Sequence, residues 1–315
     1  MNILITGGAG YIGTALAHTL ILQKHQVIIV DNLSLSSKTY VPSAAVFYQL
    51  DIRDFEALSR VFEHHQVDVV IHLAALTNPF DSLNDSNEFK SVNIDGTRSV
   101  INVCKKNKVN RLIFASSASI YGNLSTDNKN NFAPVSPYAE TKLQAEKEIL
   151  SAKLDTVILR IFNVSGASPQ FNLGQNRKTP FHLVDLLAQA ALGLKPQISI
   201  FGNSFDTPDG TALRDYIHID DTVQFILRGL QSLLTPGTVE VVNCGSGIGS
   251  SVLDVIHKME NVSGQKIFYK IENKRPCDPA KLVAMDTKNK FTTSDLRKIC
   301  ESAFLWEKNK PKKLQ

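Results

Sequence analysis

The sequence predicts an α/β fold built on a doubly wound parallel sheet, and three observations carry that expectation. Short apolar runs alternate with amphipathic stretches through the first half of the chain. The first run ends in a glycine-rich loop that opens directly into a helical pattern. The second run ends in an acid, Asp31.

Taken in order, buried strands are expected at 2–6, 26–30, 45–49, 67–73, 111–116 and 156–160. Between them lie helical patterns at 11–23, with Ile12, Leu16 and Leu20 on one face, and at 55–64, 88–106 and 137–152. Right-handed crossovers then place helices on both faces of the sheet. After Asn163 the texture changes. Loops lengthen, helix 181–192 precedes a strand at 198–201, and 203–211 is turn-rich. A strand at 215–219 leads into helix 220–233, a strand at 239–243 follows, and a helix spans 252–259. We therefore expect a first domain over 1–165, to which the chain returns around 214–243. A smaller C-terminal α/β substrate-binding domain is expected over 166–213 and 244–315.

At 315 residues, 43% hydrophobic and 20% charged, the composition fits a globular chain with a sizeable core. The net charge of +4 is spread out, apart from the tail Lys308 to Lys313, which argues against nucleic acid as a partner. No apolar run approaches membrane-spanning length. Cys104, Cys244, Cys277 and Cys300 show no paired spacing, and Met1-Asn2 runs straight into the first strand. These features suit a reducing cytoplasm.

The loop TGGAGYIG (6–13) assigns a task to each glycine. Gly7 allows a tight turn, Gly10 admits a pyrophosphate close to the backbone, and Gly13 lets helix and strand pack. The helix start offers free N–H groups to phosphate. Asp31 is placed to bond ribose hydroxyls and repels a 2′-phosphate, so the loop reads as a Rossmann-type NAD site rather than an NADP site. A second cluster, Gly245, Gly247 and Gly249, lacks a following acid and reads as a loop entering a helix.

Ser136-Pro137-Tyr138 starts a helix well, which sets Tyr138 and Lys142 side by side at i and i+4. A lysine ammonium near a phenol lowers its pKa and makes it usable as a base. Ser117, just past a strand end, is positioned to bridge the tyrosine and a substrate oxygen. A tyrosine and lysine at this spacing are common on helix surfaces. Behind a dinucleotide loop and a strand-end serine they read as a proton-transfer set. His64-His65 has no companion at ligand spacing, so no metal site is expected. Ser116 and Ser117 lack the GxSxG elbow of a hydrolase.

With these motifs the sequence resembles the extended short-chain dehydrogenase/reductase superfamily, and within it the UDP-galactose (UDP-glucose) 4-epimerase family. The resemblance extends through HLAA (72–75), NIDGT (93–97), SSASIYG (116–122), FNVSGA (162–167), IFG (200–202), DGTALRDYIH (209–218), NCGSGIG (243–249), RPCD (275–278) and AFLW (303–306). It implies Tyr138 as base on the sugar 4-hydroxyl, Ser117 as its relay and Lys142 as an electrostatic helper. It implies an NAD site of Gly7, Gly10, Tyr11, Ile12, Gly13, Asp31, Asn32, Asp51, Ile52, Leu73, Ala74, Ala75, Asn93, Ser116 and Phe162, together with Tyr138 and Lys142. Asn163, His182, Arg214 and Arg275 would grip a UDP diphosphate, with Asp278 and Tyr216 nearby and Ile200 and Phe201 beside the uracil. Thr77 stands where some members have a lysine, and Leu282 where residue size gates the sugar.

Ala118-Ser119 replaces the acid pair of the dehydratases, which disfavours dehydration. The stretch between Asp286 and Leu296 is shorter than the family pattern. The implied reaction inverts C4 of a UDP-hexose. The alternatives are an epimerase of UDP-N-acetylhexosamine or UDP-hexuronate, and a nucleotide-sugar dehydrogenase or reductase. A homodimer through a four-helix bundle is also implied.

Overall fold

The computed structural model describes residues 1–177, 179–285 and 294–311. Lys312 and Lys313, and most of the shortened stretch after Asp286, lie outside the described residues. The elements run β1 (Asn2–Thr6), α1 (Tyr11–Leu22), β2 (Gln26–Asp31), β3 (Val46–Gln49), α2 (Phe55–His64), β4 (Val69–His72), α3 (Pro79–Asn84), α4 (Ser86–Lys90), α5 (Gly96–Lys106), β5 (Arg111–Ser117), α6 (Pro137–Ser151), β6 (Asp155–Ile161) and β7 (Asn163–Ser165). There follow α7 (Leu183–Ala191), β8 (Ile198–Phe201), β9 (Leu213–His218), α8 (Ile219–Ser232), β10 (Val239–Cys244), β11 (Gly249–Ser251), α9 (Val252–Ser263), β12 (Tyr269–Glu272), β13 (Lys281–Leu282) and α10 (Leu296–Asn309).

Seven strands form one parallel sheet in the order β10-β6-β5-β4-β1-β2-β3. Successive strand residues point to opposite faces, and both faces are apolar because both are covered. Ile3 and Ile5 pack with Leu16, Leu20, Val223 and Ile226, the buried stripes of α1 and α8. Leu4 and Val70 pack on the other side with Leu58, Phe62, Val100, Ala145 and Ile149 from α2, α5 and α6. Each such fully buried Leu or Ile contributes about 1.5–3 kcal/mol. The last strand, β10, comes from far along the chain and pairs in parallel with β6.

Beyond this sheet, β9 pairs with β7, β11 and β13, and β8 pairs with β12. Helices α7, α9 and α10 enclose a separate core around Leu187, Val255, Ile256 and Cys300. Among the described residues no helix is long and apolar enough to cross a membrane.

One expected element gains a detail. The helix expected over 88–106 runs unbroken, with a π-helical turn at Ser91–Asp95. The wider turn lets Asn93 aim its amide inward, where it bonds Leu76 and Thr141 instead of following the helix face.

Candidate active site

The carboxyl ends of β1, β2, β4, β5 and β6 surround a cavity of about 690 Å³ that continues to β8 and β9. At one end Gly7 takes φ +71°, and a Cβ there would stand 2.6 Å from the Ala74 nitrogen. A Cβ on Gly13 would meet the Gly7 carbonyl at 2.6 Å, so loop, strand and helix pack too closely for any side chain. Helix α1 begins after Gly10 with no side-chain cap and no acid in its first turn, and Tyr11, Ile12 and Gly13 line the cavity. Uncapped N–H groups at a helix start suit a diphosphate. Dinucleotide binding therefore fits the residues present.

Asp31 closes this end. Its carboxylate accepts from Ala9 N–H at 3.0 Å and Leu33 N–H at 2.8 Å, so it shapes the loop as well as facing the cavity. Asn32 donates to Asp51. The Arg53 guanidinium holds the Asp51 carboxyl down at about 2. Asp51, Ile52, Leu73, Ala74, Ala75, Ser116 and Phe162 all line the wall. Asn93 does not. It is buried behind the wall, holding the Leu76 N–H and carbonyl at 2.8 and 3.0 Å, and so supports the loop after β4 from outside.

On the floor, Ser136 caps α6 by accepting from Ala139 N–H, with Pro137 at the first helical position. The Tyr138 hydroxyl has Ser117 as its polar neighbour across the cavity floor. Ser117 in turn accepts from the N–H and hydroxyl of Ser119 at 3.2 and 2.9 Å. The expectation that Lys142 depresses the phenol is corrected here. Burial raises the Tyr138 pKa, and only the neighbouring Ser117 opposes it. The same burial draws Lys142 down to about 7, against the pull of Glu146. The ammonium instead sits over the Phe114 ring, 4.3 Å from its centroid.

At the opposite end the Arg275 guanidinium lies 3.3 Å from the Phe201 ring centroid and 3.9 Å from that of Phe80. Arg214 approaches Asp278 at 3.4 Å. His182 stacks on Phe181 with centroids 4.0 Å apart, and burial, aided by the charge of Arg177, lowers its pKa to about 4, so it is neutral near pH 7. Asn163 donates to the Asp215 carbonyl at 3.0 Å. Ile200, Tyr216 and Thr77 face the cavity, and Leu282 does so while packed against Ala118 and Phe162.

Three features were missed in the sequence. Arg177 reaches the cavity and donates to Thr77 at 3.1 Å. Phe80 faces Arg275 from a short helix whose only signal was Asn78-Pro79, an N-cap followed by proline. The 245–249 glycines fold round the Asp215 carboxylate, which accepts the N–H groups of Ser246, Gly247 and Ala284. Among the described residues no cluster of His, Cys, Asp and Glu could hold a metal ion.

The family model described as the NAD dependent epimerase/dehydratase family matches residues 3–245. A UDP-glucose 4-epimerase of Halalkalibacterium halodurans is 34% identical over 324 residues, covering 99% of this chain and 97% of its own. The crystal structure of UDP-glucose 4-epimerase from Bifidobacterium longum, in complex with NAD+ and UDP, is 30% identical with a TM-score of 0.93, covering 99% of both chains. The UDP-Glc/GlcNAc 4-epimerase of Campylobacter jejuni is 34% identical with a TM-score of 0.81, covering 98% of this chain and 99% of its own.

Proposed function

The chain belongs to the NAD dependent epimerase/dehydratase family, and on that premise we propose that it inverts the C4 hydroxyl of a UDP-hexose, interconverting UDP-glucose and UDP-galactose. The observation that carries this is one cavity lined by Tyr138 and Ser117 between a glycine loop and the arginines 214 and 275. A bound dinucleotide supplies a reversible hydride acceptor.

The protein's own residues do the rest. Tyr138 takes the proton of the sugar 4-hydroxyl, with Ser117 relaying it, and a 4-keto sugar results. Arg214 and Arg275 hold the diphosphate through planar donors that match its oxygens. The sugar, less firmly held, turns over so that its other face meets the returning hydride. Tyr138 then gives the proton back, and the stereocentre is inverted.

The closing of this cycle within one site distinguishes it from a dehydrogenase. Purified protein incubated with UDP-galactose and no added NAD is expected to form UDP-glucose. Stoichiometric NADH production in place of the epimer would sink the reading.

The exposed Leu150 of α6 supports a homodimer in which α5 and α6 of two copies close a four-helix bundle. Four unpaired, buried cysteines support a cytoplasmic setting.

A further inference from the structure

Residues 174–177 run along the cavity, which Gln175, Asn176 and Arg177 line, and their course is fixed at three points. Trp306 of α10 donates its indole N–H to the Gln175 carbonyl at 3.1 Å. A Cβ at Gly174 would stand 2.4 Å from the same ring, so the backbone lies flat against it. Asn176 donates its amide to the Ala9 carbonyl at 3.0 Å, which rests the segment on the glycine loop. Arg177 then reaches Thr77, on the loop that follows β4. Strands β1 and β4 are hydrogen-bonded neighbours, so the segment bridges the two loops that flank the cleft between them.

One group on this segment lacks the partner its burial calls for, and a second is a cation with no ion pair among the described residues. The half-buried Arg177 guanidinium lies over the Phe181 ring at 4.6 Å and donates to Thr77, while Asp81, whose charge reaches it, stands beyond ion-pair distance. A half-buried guanidinium with donors to spare is a ready partner for a phosphate. Asn176 Oδ1 is buried and accepts no hydrogen bond, although Asn176 also lines the cavity. Cation and acceptor both belong to a site for an anion that carries hydroxyl groups.

Resting on the cofactor reading above, we propose that residues 174–177 are a strap that retains the dinucleotide, with Arg177 as the cation for its diphosphate and Asn176 as an acceptor for a ribose hydroxyl. The uncapped start of α1 brings a diphosphate to this cleft. The second diphosphate in the reaction, that of the nucleotide sugar, has Arg214 and Arg275. A reaction that returns its hydride gains nothing from releasing the carrier, and an ionic strap slows that release.

The test uses the full-length protein as purified. Its dinucleotide is released by denaturation and quantified, exchange with labelled NAD is timed, and UDP affinity is measured by calorimetry. Arg177→Met and Arg177→Gln are expected to speed exchange about tenfold or more with UDP affinity unchanged, in keeping with loss of a charge-assisted bond. Arg177→Gln keeps a donor for Thr77 and should fold even if the methionine variant does not. Trp306→Phe, which loosens the anchor, is expected to speed exchange less.

Exchange at the wild-type rate in Arg177→Gln overturns the strap, and so does weaker UDP binding with exchange unaltered. Wild-type protein that carries no dinucleotide and takes none up overturns the cofactor reading itself. Retention by the wild type matched by both Arg177 variants overturns the strap alone.

Discussion

Glu146 and Arg160 meet in a two-pronged ion pair at 2.7 and 3.0 Å, both side chains almost wholly buried, on the inner side of the helix that carries Tyr138. Glu146 also accepts the Ser116 hydroxyl, while Arg160 reaches the Tyr121 hydroxyl at 2.9 Å. Tyr121 donates onward to Asn243. The pair thus ties α6 to the ends of β5, β6 and β10. Replacing both partners by apolar groups would cost little, but removing one leaves a buried charge alone. Glu146→Ala is expected to lower the unfolding free energy by about 3–5 kcal/mol in a denaturant titration. A loss below about 1 kcal/mol would mean that water reaches Arg160.

Tyr138→Phe removes the hydroxyl proposed as the proton acceptor and keeps the ring against Phe89. Turnover is expected to fall by roughly 10²–10⁴-fold, while UDP affinity by calorimetry stays unchanged. Near-normal turnover would assign the proton to another group.

Asp185 gives the protein a pH-dependent stability. Burial, with Glu307 adding to it, lifts its carboxyl from an ordinary 3.8 to about 7. A group whose folded pKa is raised stabilises the fold below its unfolded value, and that contribution is lost as pH rises through the folded one. The window is therefore about pH 4 to 7, with at most roughly 1.4 kcal/mol lost per unit. Asp185→Asn is expected to raise the melting temperature at pH 8 and to leave it unchanged at pH 4. An equal effect at both would show that Asp185 does not titrate there.

Asn93→Ala deletes the two bonds to Leu76 and one to Thr141. Stability is expected to fall by about 1–3 kcal/mol, because buried backbone groups lose their partner. Dinucleotide content should fall with it, and turnover at saturating NAD should stay within a few-fold of wild type. A large loss of turnover with full dinucleotide content would place Asn93 in the chemistry.

What the sequence made legible was local. The glycine spacing, the acid that ends β2 and the Tyr138–Lys142 register are set by neighbours along one strand or one helix, so periodicity and capping rules reach them. The bonds of Asn93 to Leu76 and Thr141 were not legible, because they join residues far apart in the chain and the π turn at 91–95 leaves no mark in helical spacing. Arg177 was missed because its position depends on Trp306, far along the chain. The electrostatics were misjudged for a related reason. Residue spacing places a lysine beside a tyrosine, but only packing reveals that both are buried and that burial is the largest influence on each.

The pairing of β10 with β6 has a consequence for biogenesis. As the chain leaves the ribosome, β6 emerges as the outer strand of an unfinished sheet, and its partner arrives only when residue 244 has been made. Until then the apolar strand Asp155–Ile161 presents a bare hydrogen-bonding edge to any other nascent chain. A truncation ending between these two strands is expected to leave that edge bare and to be less soluble on expression than the full-length chain.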